Sequence, residues 1–150
     1  MSLYSVLVFI HIFSAIIGMG PGLVMTGIVS HATNLTELRH AYVIRNHLHR
    51  LTMIGGTLLL LTGLAMGAMH TFLFKQGWYV ISFVLFLVAL AFGPLLLKPK
   101  SKPIKELLNT ATGEEIPPEY NRLAKKLFFV ERIETAIFLV IISLMILKPF

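Results

Sequence analysis

With no cysteine in the chain, six histidines and seven methionines supply its only soft metal ligands. Disulfides, thiolate zinc sites and cysteine-held iron–sulfur clusters are thereby excluded. The histidines are His11, His31, His40, His47, His49 and His70. Two of them fall inside long uncharged runs. His11 lies in LYSVLVFIHIFSAIIGMGPGLVMTGIV, Leu3–Val29, and His70 lies near the end of Leu51–Phe74. An ionisable ring in such a run is rare and usually has a partner. Two imidazoles on facing helices can hold a b-type haem between them, one on each face of the iron.

His11 and His70 make that pair. Counted at ~1.5 Å per residue, they lie ~12 Å and ~6 Å inside the same edge of their helices. His31 and His49 form a second candidate pair near the opposite edge. It stands behind the first, because ~100° per residue leaves His31 about 200° around the helix from His11. His31, His47 and His49 flank arginines and water, so each also reads as a solvated or headgroup-facing group, and His40 reads as an ordinary loop residue. Small residues must line a flat cofactor, and Ser14, Gly18, Gly63 and Gly67 recur near the first pair, with Ala15, Gly22 and Gly56 beyond them. The same glycines also suit close helix contact. Met19, Met25, Met53, Met66 and Met69 are alternative ligands for iron or copper, although methionine in apolar helices more often fills space. In VERIET, Arg132 can meet a porphyrin propionate, with Glu131 or Glu134 passing protons. Snorkelling and pairing at a helix end is the plainer reading of the same three residues.

The elements that must position these groups are apolar helices. The chain is 56% hydrophobic and 13% charged, with mean hydropathy +0.81; soluble domains carry about a quarter charged residues. The expectation is all-α: an integral membrane four-helix bundle forming a single transmembrane domain over residues 1–150. Its helices fall at about 3–29, 51–74, 79–97 and 128–147. The first and third connections hold Arg39, Arg45, Arg50, Lys98, Lys100, Lys102, Lys105, Arg122, Lys125 and Lys126, against Lys75 and Lys148 on the other side. That asymmetry predicts two cytoplasmic connections and both termini outside, with Tyr4, Trp78 and Tyr79 in the outer aromatic belt. The location expected is a bacterial cytoplasmic membrane, crossed several times. The net charge of +6 sits in these connections, so lipid and not nucleic acid is the partner expected. MSLYSV lacks the basic start of a secretory signal, and the first run reads as a retained helix.

Local signals refine the connections. Asn34 with Glu37 reads as a capping pair that starts the second helix well before the membrane. Lys75–Gly77 reads as a tight hairpin. KPKSKPIKELLNTATGEEIPPEY reads as a basic stretch, a short helical piece and a turn, divided by its prolines and glycine. PPEYNRLAKKLFF then opens the last helix.

Several of these stretches together resemble a known family. They are the His11–Ile12 pair in VFIHIF, His31 near the end of that helix, RNHLHRLTMIGGTLLLLTGL, Gly77–Trp78, and the ending TAIFLVIISLMILKPF. Most of the chain is similar to the four-helix membrane family that includes the haem-containing bacterial protoporphyrinogen oxidase and the copper-resistance D-type proteins. The resemblance implies that His11 serves haem b, and that any enzyme activity is a membrane oxidoreductase of protoporphyrinogen oxidase type. The chain departs from the oxidase branch in the second half of helix 1, in VALAFG and in VERIET, which places it with uncharacterised bacterial relatives.

The function expected is therefore a haem b-binding membrane protein with a redox or electron-transfer role, its partner a quinone or a porphyrin. A copper-handling protein using His and Met, and an accessory subunit without cofactor, are the alternatives. A bundle this small can also complete its site in a homo-oligomer.

Overall fold

The computed structural model describes all 150 residues and is entirely helical. Helix α1 spans Leu3–Ser30 and α2 spans Leu35–Met69. A 3-10 turn at Thr71–Lys75 leads to α3, Gly77–Phe92. That helix runs through a π-helical segment, Gly93–Leu97, into α4, Lys98–Thr110. Helix α5 spans Pro118–Leu147. Because Gly77–Thr110 is continuous, the chain makes four long helical rods.

The capping pair does what its spacing implies. Asn34 Oδ1 accepts the Glu37 N–H at 2.9 Å, and Glu37 reaches back to accept the Thr33 N–H and hydroxyl, both at 2.8 Å. Those bonds to the ionised form hold the Glu37 carboxyl below its ordinary range. Helix α2 accordingly starts at Leu35, far ahead of its apolar run.

Two boundaries differ from expectation. Helix α2 ends at Met69, and His70 leaves the helix at φ −130°, ψ 80°, so the hairpin is a longer turn that begins at His70. At the other end of α3, proline does not divide the connection. Pro94 sits in the π segment, where the Lys98 N–H reaches back five residues to the Gly93 carbonyl, and Pro103 lies inside α4. The wider turn accommodates a residue that cannot donate, so the rod continues to Thr110.

Helices α1 and α2 form an antiparallel pair that is closest at three glycines. A Cβ on Gly18 would lie 2.9 Å from the Gly56 nitrogen and 3.0 Å from the Gly55 carbonyl carbon. Only hydrogen side chains let two backbones approach so near. Helix α3 packs on α5, and α5 also touches α1 and α4, whereas the backbones of α2 and α3 stand apart. The bundle is thus two helix pairs with a gap between them.

The two ends are closed differently. At the basic end, Val29, Leu35, Leu38, Ile104, Leu108 and Leu127 form a buried apolar cluster between α1, α2, α4 and α5, beside a second cavity of about 410 Å³ bordered by Val29, Leu38, Tyr120 and Phe128. At the aromatic end, the chain terminus seals α5 to α3. The Trp78 N–H donates to the Phe150 carbonyl at 3.0 Å, and the Phe150 ring covers Gly77 where a side chain would collide. Lys148 adopts φ 46° there and holds its ammonium 5.3 Å from the Trp78 ring centre.

Helices α1 and α2 and the rod Gly77–Thr110 are long and apolar enough to cross a membrane. The apolar part of α5 also contains Glu131, Arg132 and Glu134. Phe9, Phe13, Ile16, Leu61, Val84 and Leu139 are exposed along the outer faces, as lipid-facing helices require.

Candidate functional site

The gap between the helix pairs is an apolar cavity of about 420 Å³. On α1 its wall runs from His11 to Leu23, which is ~18 Å at ~1.5 Å per residue. Gly63 of α2, Tyr79, Ser82 and Phe86 of α3, and Thr135 and Met145 of α5 complete the ring.

His11 is placed by the glycine contact. It lies two turns before Gly18, as Thr62 lies two turns after Gly55, so antiparallel packing brings them together. His11 Nδ1 and Thr62 Oγ1 are 2.8 Å apart. Thr62 Oγ1 also lies 2.7 Å from the Leu58 carbonyl, and that carbonyl can only accept. With its single hydroxyl proton on Leu58, Thr62 can accept from His11. In that tautomer Nδ1 carries the ring proton and Nε2 keeps its lone pair. Gly63 makes room beside the ring, since a Cβ there would lie 3.4 Å from His11 Cε1.

Across the gap, the Tyr79 hydroxyl donates to the Gly63 carbonyl at 2.8 Å and ties α3 to α2. Ser82 is 1% exposed, and its Oγ has no hydrogen-bond partner.

The expected partner of His11 is not found there. His70 is exposed and packs edge-on against Tyr4, with ring centres 4.6 Å apart. Tyr4 lies two turns beyond His11, ~10 Å along α1. The early end of α2 explains the displacement, because His70 belongs to the turn and not to the facing helix.

The other expected wall residues divide. Gly63 lines the cavity, while Gly18 serves the α1–α2 contact and Gly67 is covered by Phe74, 2.8 Å from a notional Cβ, and by the Tyr79 hydroxyl. Ser14 is buried and donates to the Ile10 carbonyl at 2.6 Å, outside the cavity wall. Arg132 is exposed and lies outside the cavity wall. His31 bonds the Gly27 carbonyl at 2.7 Å, and His49 is exposed. No three His, Asp or Glu side chains converge anywhere in the chain.

The cation that sequence reasoning assigned to a connection is instead buried. Arg45 forms an ion pair with Glu131 and donates to the Met25 carbonyl at 3.0 Å. Thr26 donates to the same carboxylate at 3.1 Å. Beside it, Tyr42 and Tyr120 share a hydrogen bond of 3.2 Å, and burial pushes both phenols above their ordinary range. The signal available in the sequence was the position of Arg45 on the helix that Asn34 caps. Thr62 and Ser82 gave no signal beyond their presence in apolar runs.

Fold and site thus define a multi-helix integral membrane protein with an imidazole beside an apolar cleft that opens to the outer helix faces at Ile16 and Leu139. The chain belongs to the DUF2269 family, described as "Predicted integral membrane protein", whose model matches residues 5–149. No curated protein and no solved structure matches it.

Proposed function

We propose that this is a membrane redox protein that binds one b-type haem in the cavity, with His11 Nε2 as ligand to the iron. One observation carries the reading: the hydrogen bond to Thr62 suits the His11 tautomer that presents a lone pair. Metal-bound histidines characteristically donate their other ring N–H in this way, which orients the ring and raises its basicity. The cavity volume lies within the ~300–1,000 Å³ typical of ligand sites, and the wall of Met19, Phe86 and Phe138 suits an apolar macrocycle. With His70 two turns away, the protein supplies one imidazole and not two. Neither Arg132 nor any other arginine or lysine lines the cavity.

Bound haem would supply one-electron exchange, with a quinone or a porphyrinogen as partner, reached through the lipid that meets the exposed helix faces. What this chain contributes is a held imidazole and a dry wall. The basic residues at one end orient the bundle in a bacterial cytoplasmic membrane, with that end in the cytoplasm and both termini outside.

The test is substitution at the two histidines in protein purified in mild detergent. His11→Ala is expected to abolish the haem spectrum or reshape it, and His70→Ala to leave it unchanged. A His11→Ala spectrum identical to that of the parent protein would remove His11 as a ligand. Copper without haem would overturn the reading altogether.

A further inference from the structure

The second cavity, about 410 Å³ at the basic end, lies ~27 Å from His11 along α1 at ~1.5 Å per residue. Its floor is apolar, with Val29 of α1, Leu38 of α2 and Ala124 of α5 all buried. Its rim is polar, and Asn121 and Lys125 of α5 are exposed there. No aspartate or glutamate lines it.

The register of α1 against α5 sets its depth in the membrane. Thr26 donates to Glu131, and a Cβ on Gly22 would lie 3.9 Å from Thr135 Oγ1. Antiparallel packing continues with Val29 beside Phe128, and both line the cavity. Val29 closes the apolar run of α1. Lys125 and Asn121 lie one and two turns beyond Phe128, ~4.5 Å and ~10 Å further along α5. The apolar wall therefore meets the edge of the hydrocarbon, and the polar rim lies at headgroup depth.

The rim hydroxyls are committed within the chain. Ser30 donates to the Gly27 carbonyl at 2.8 Å, and Tyr120 shares its hydrogen bond with Tyr42. Lys125 is different. The two ion pairs of the chain are Arg45–Glu131 and Arg122–Glu119, so its ammonium has no carboxylate. An unpaired lysine at a membrane edge is ordinary snorkelling when it stands over a filled surface. This one stands over an apolar cavity with no acid on its wall.

We infer that this cavity seats one anionic phospholipid of the leaflet that meets the basic end. The phosphate sits on the Lys125 ammonium and the Asn121 amide, and the start of an acyl chain passes over Val29 and Phe128. Charge complementarity selects the occupant, because basic pockets between helices at a membrane edge bind anionic headgroups. The polarity also runs the right way for a lipid, with the apolar wall towards the hydrocarbon and the cation towards water. The site is independent of what the cleft at His11 holds.

The experiment titrates fluorescently labelled phosphatidylglycerol into the full chain in a non-ionic detergent, beside labelled phosphatidylcholine. Lys125→Gln is expected to weaken phosphatidylglycerol binding about tenfold, as the loss of one charged hydrogen bond predicts. Lys126→Gln removes the same charge one residue away, outside the cavity wall, and is expected to weaken it about twofold. Ala32→Phe fills the cavity with every charge in place and is expected to match Lys125→Gln. Lys125 is exposed, so the charge comparison stands even if the filled variant fails to fold. Equal losses in the two lysine variants would mean general attraction to a basic surface and would overturn the site. Equally tight phosphatidylcholine binding overturns it too, as does full binding by a folded Ala32→Phe variant. Displacement of the lipid by glycerol phosphate at equal affinity would make this a soluble-anion site and overturn the lipid assignment.

Discussion

The basic end of this bundle and the cavity at His11 are built from the same helices but treat their polar groups differently. At the basic end, buried apolar side chains from four helices cluster beside a second cavity, the guanidinium of Arg45 has a carboxylate and a carbonyl, and the two phenols have each other. At the His11 cavity, the backbones of α2 and α3 stand apart, and the buried Ser82 hydroxyl has no partner. The contrast separates a region of paired polar groups from one where polar groups face open space.

Breaking the basic end should cost most. Arg45→Ala leaves Glu131 buried without its partner, and the expected destabilisation is about 3–5 kcal/mol in thermal unfolding of the detergent-solubilised protein. The double variant Arg45→Met, Glu131→Leu should recover most of that loss, because it removes the orphaned charge together with the pair. If the single variant melts with the parent protein, the pair is not structural.

A smaller effect should come from the contact that sets the register between the two regions. Gly55→Ala places a methyl against the Gly18 backbone, and an overpacking cost of about 1–3 kcal/mol is expected. The same change should disturb the His11–Thr62 alignment two turns away. Gly27→Ala is the control, since a Cβ there meets nothing within 4 Å and alanine is the better helix former. Equal melting temperatures for the two variants would show that the glycine contact does not fix the hairpin.

The phenol pair should give the smallest effect, with a definite sign in pH. Tyr42→Phe is expected to cost about 1 kcal/mol near neutrality. Both phenols have folded pKa values raised above the unfolded value of ~10. Their contribution is therefore complete below pH ~10 and is lost as pH rises towards the folded values. The parent protein should lose stability in that alkaline window, and Tyr42→Phe should lose less. Parallel pH curves would contradict the assignment.

How far the sequence disclosed this arrangement follows from which forces act locally. The helices were legible because lipid-facing rods need long apolar runs, and the start of α2 was legible because Asn34 and Glu37 act across a single turn. His11 was legible as an imidazole deep in such a run. The identity of its neighbour was not. It depends on where Gly18 crosses Gly55, a tertiary contact that many glycine spacings would allow, and on α2 ending one residue before His70. Arg45 looked like a connection cation because positive charge near a membrane edge is the common case. Only the packing of α5 against α1 supplies Glu131. Ser82 carried no local mark, since its distinction is a bond it does not make.

The central claim is a cavity that holds a haem on one protein imidazole. Its most direct test is the absorption spectrum, oxidised and dithionite-reduced, of the full chain purified from haem-supplemented cells. The account predicts a Soret band with a five-coordinate, high-spin reduced form. A colourless protein under those conditions would contradict it.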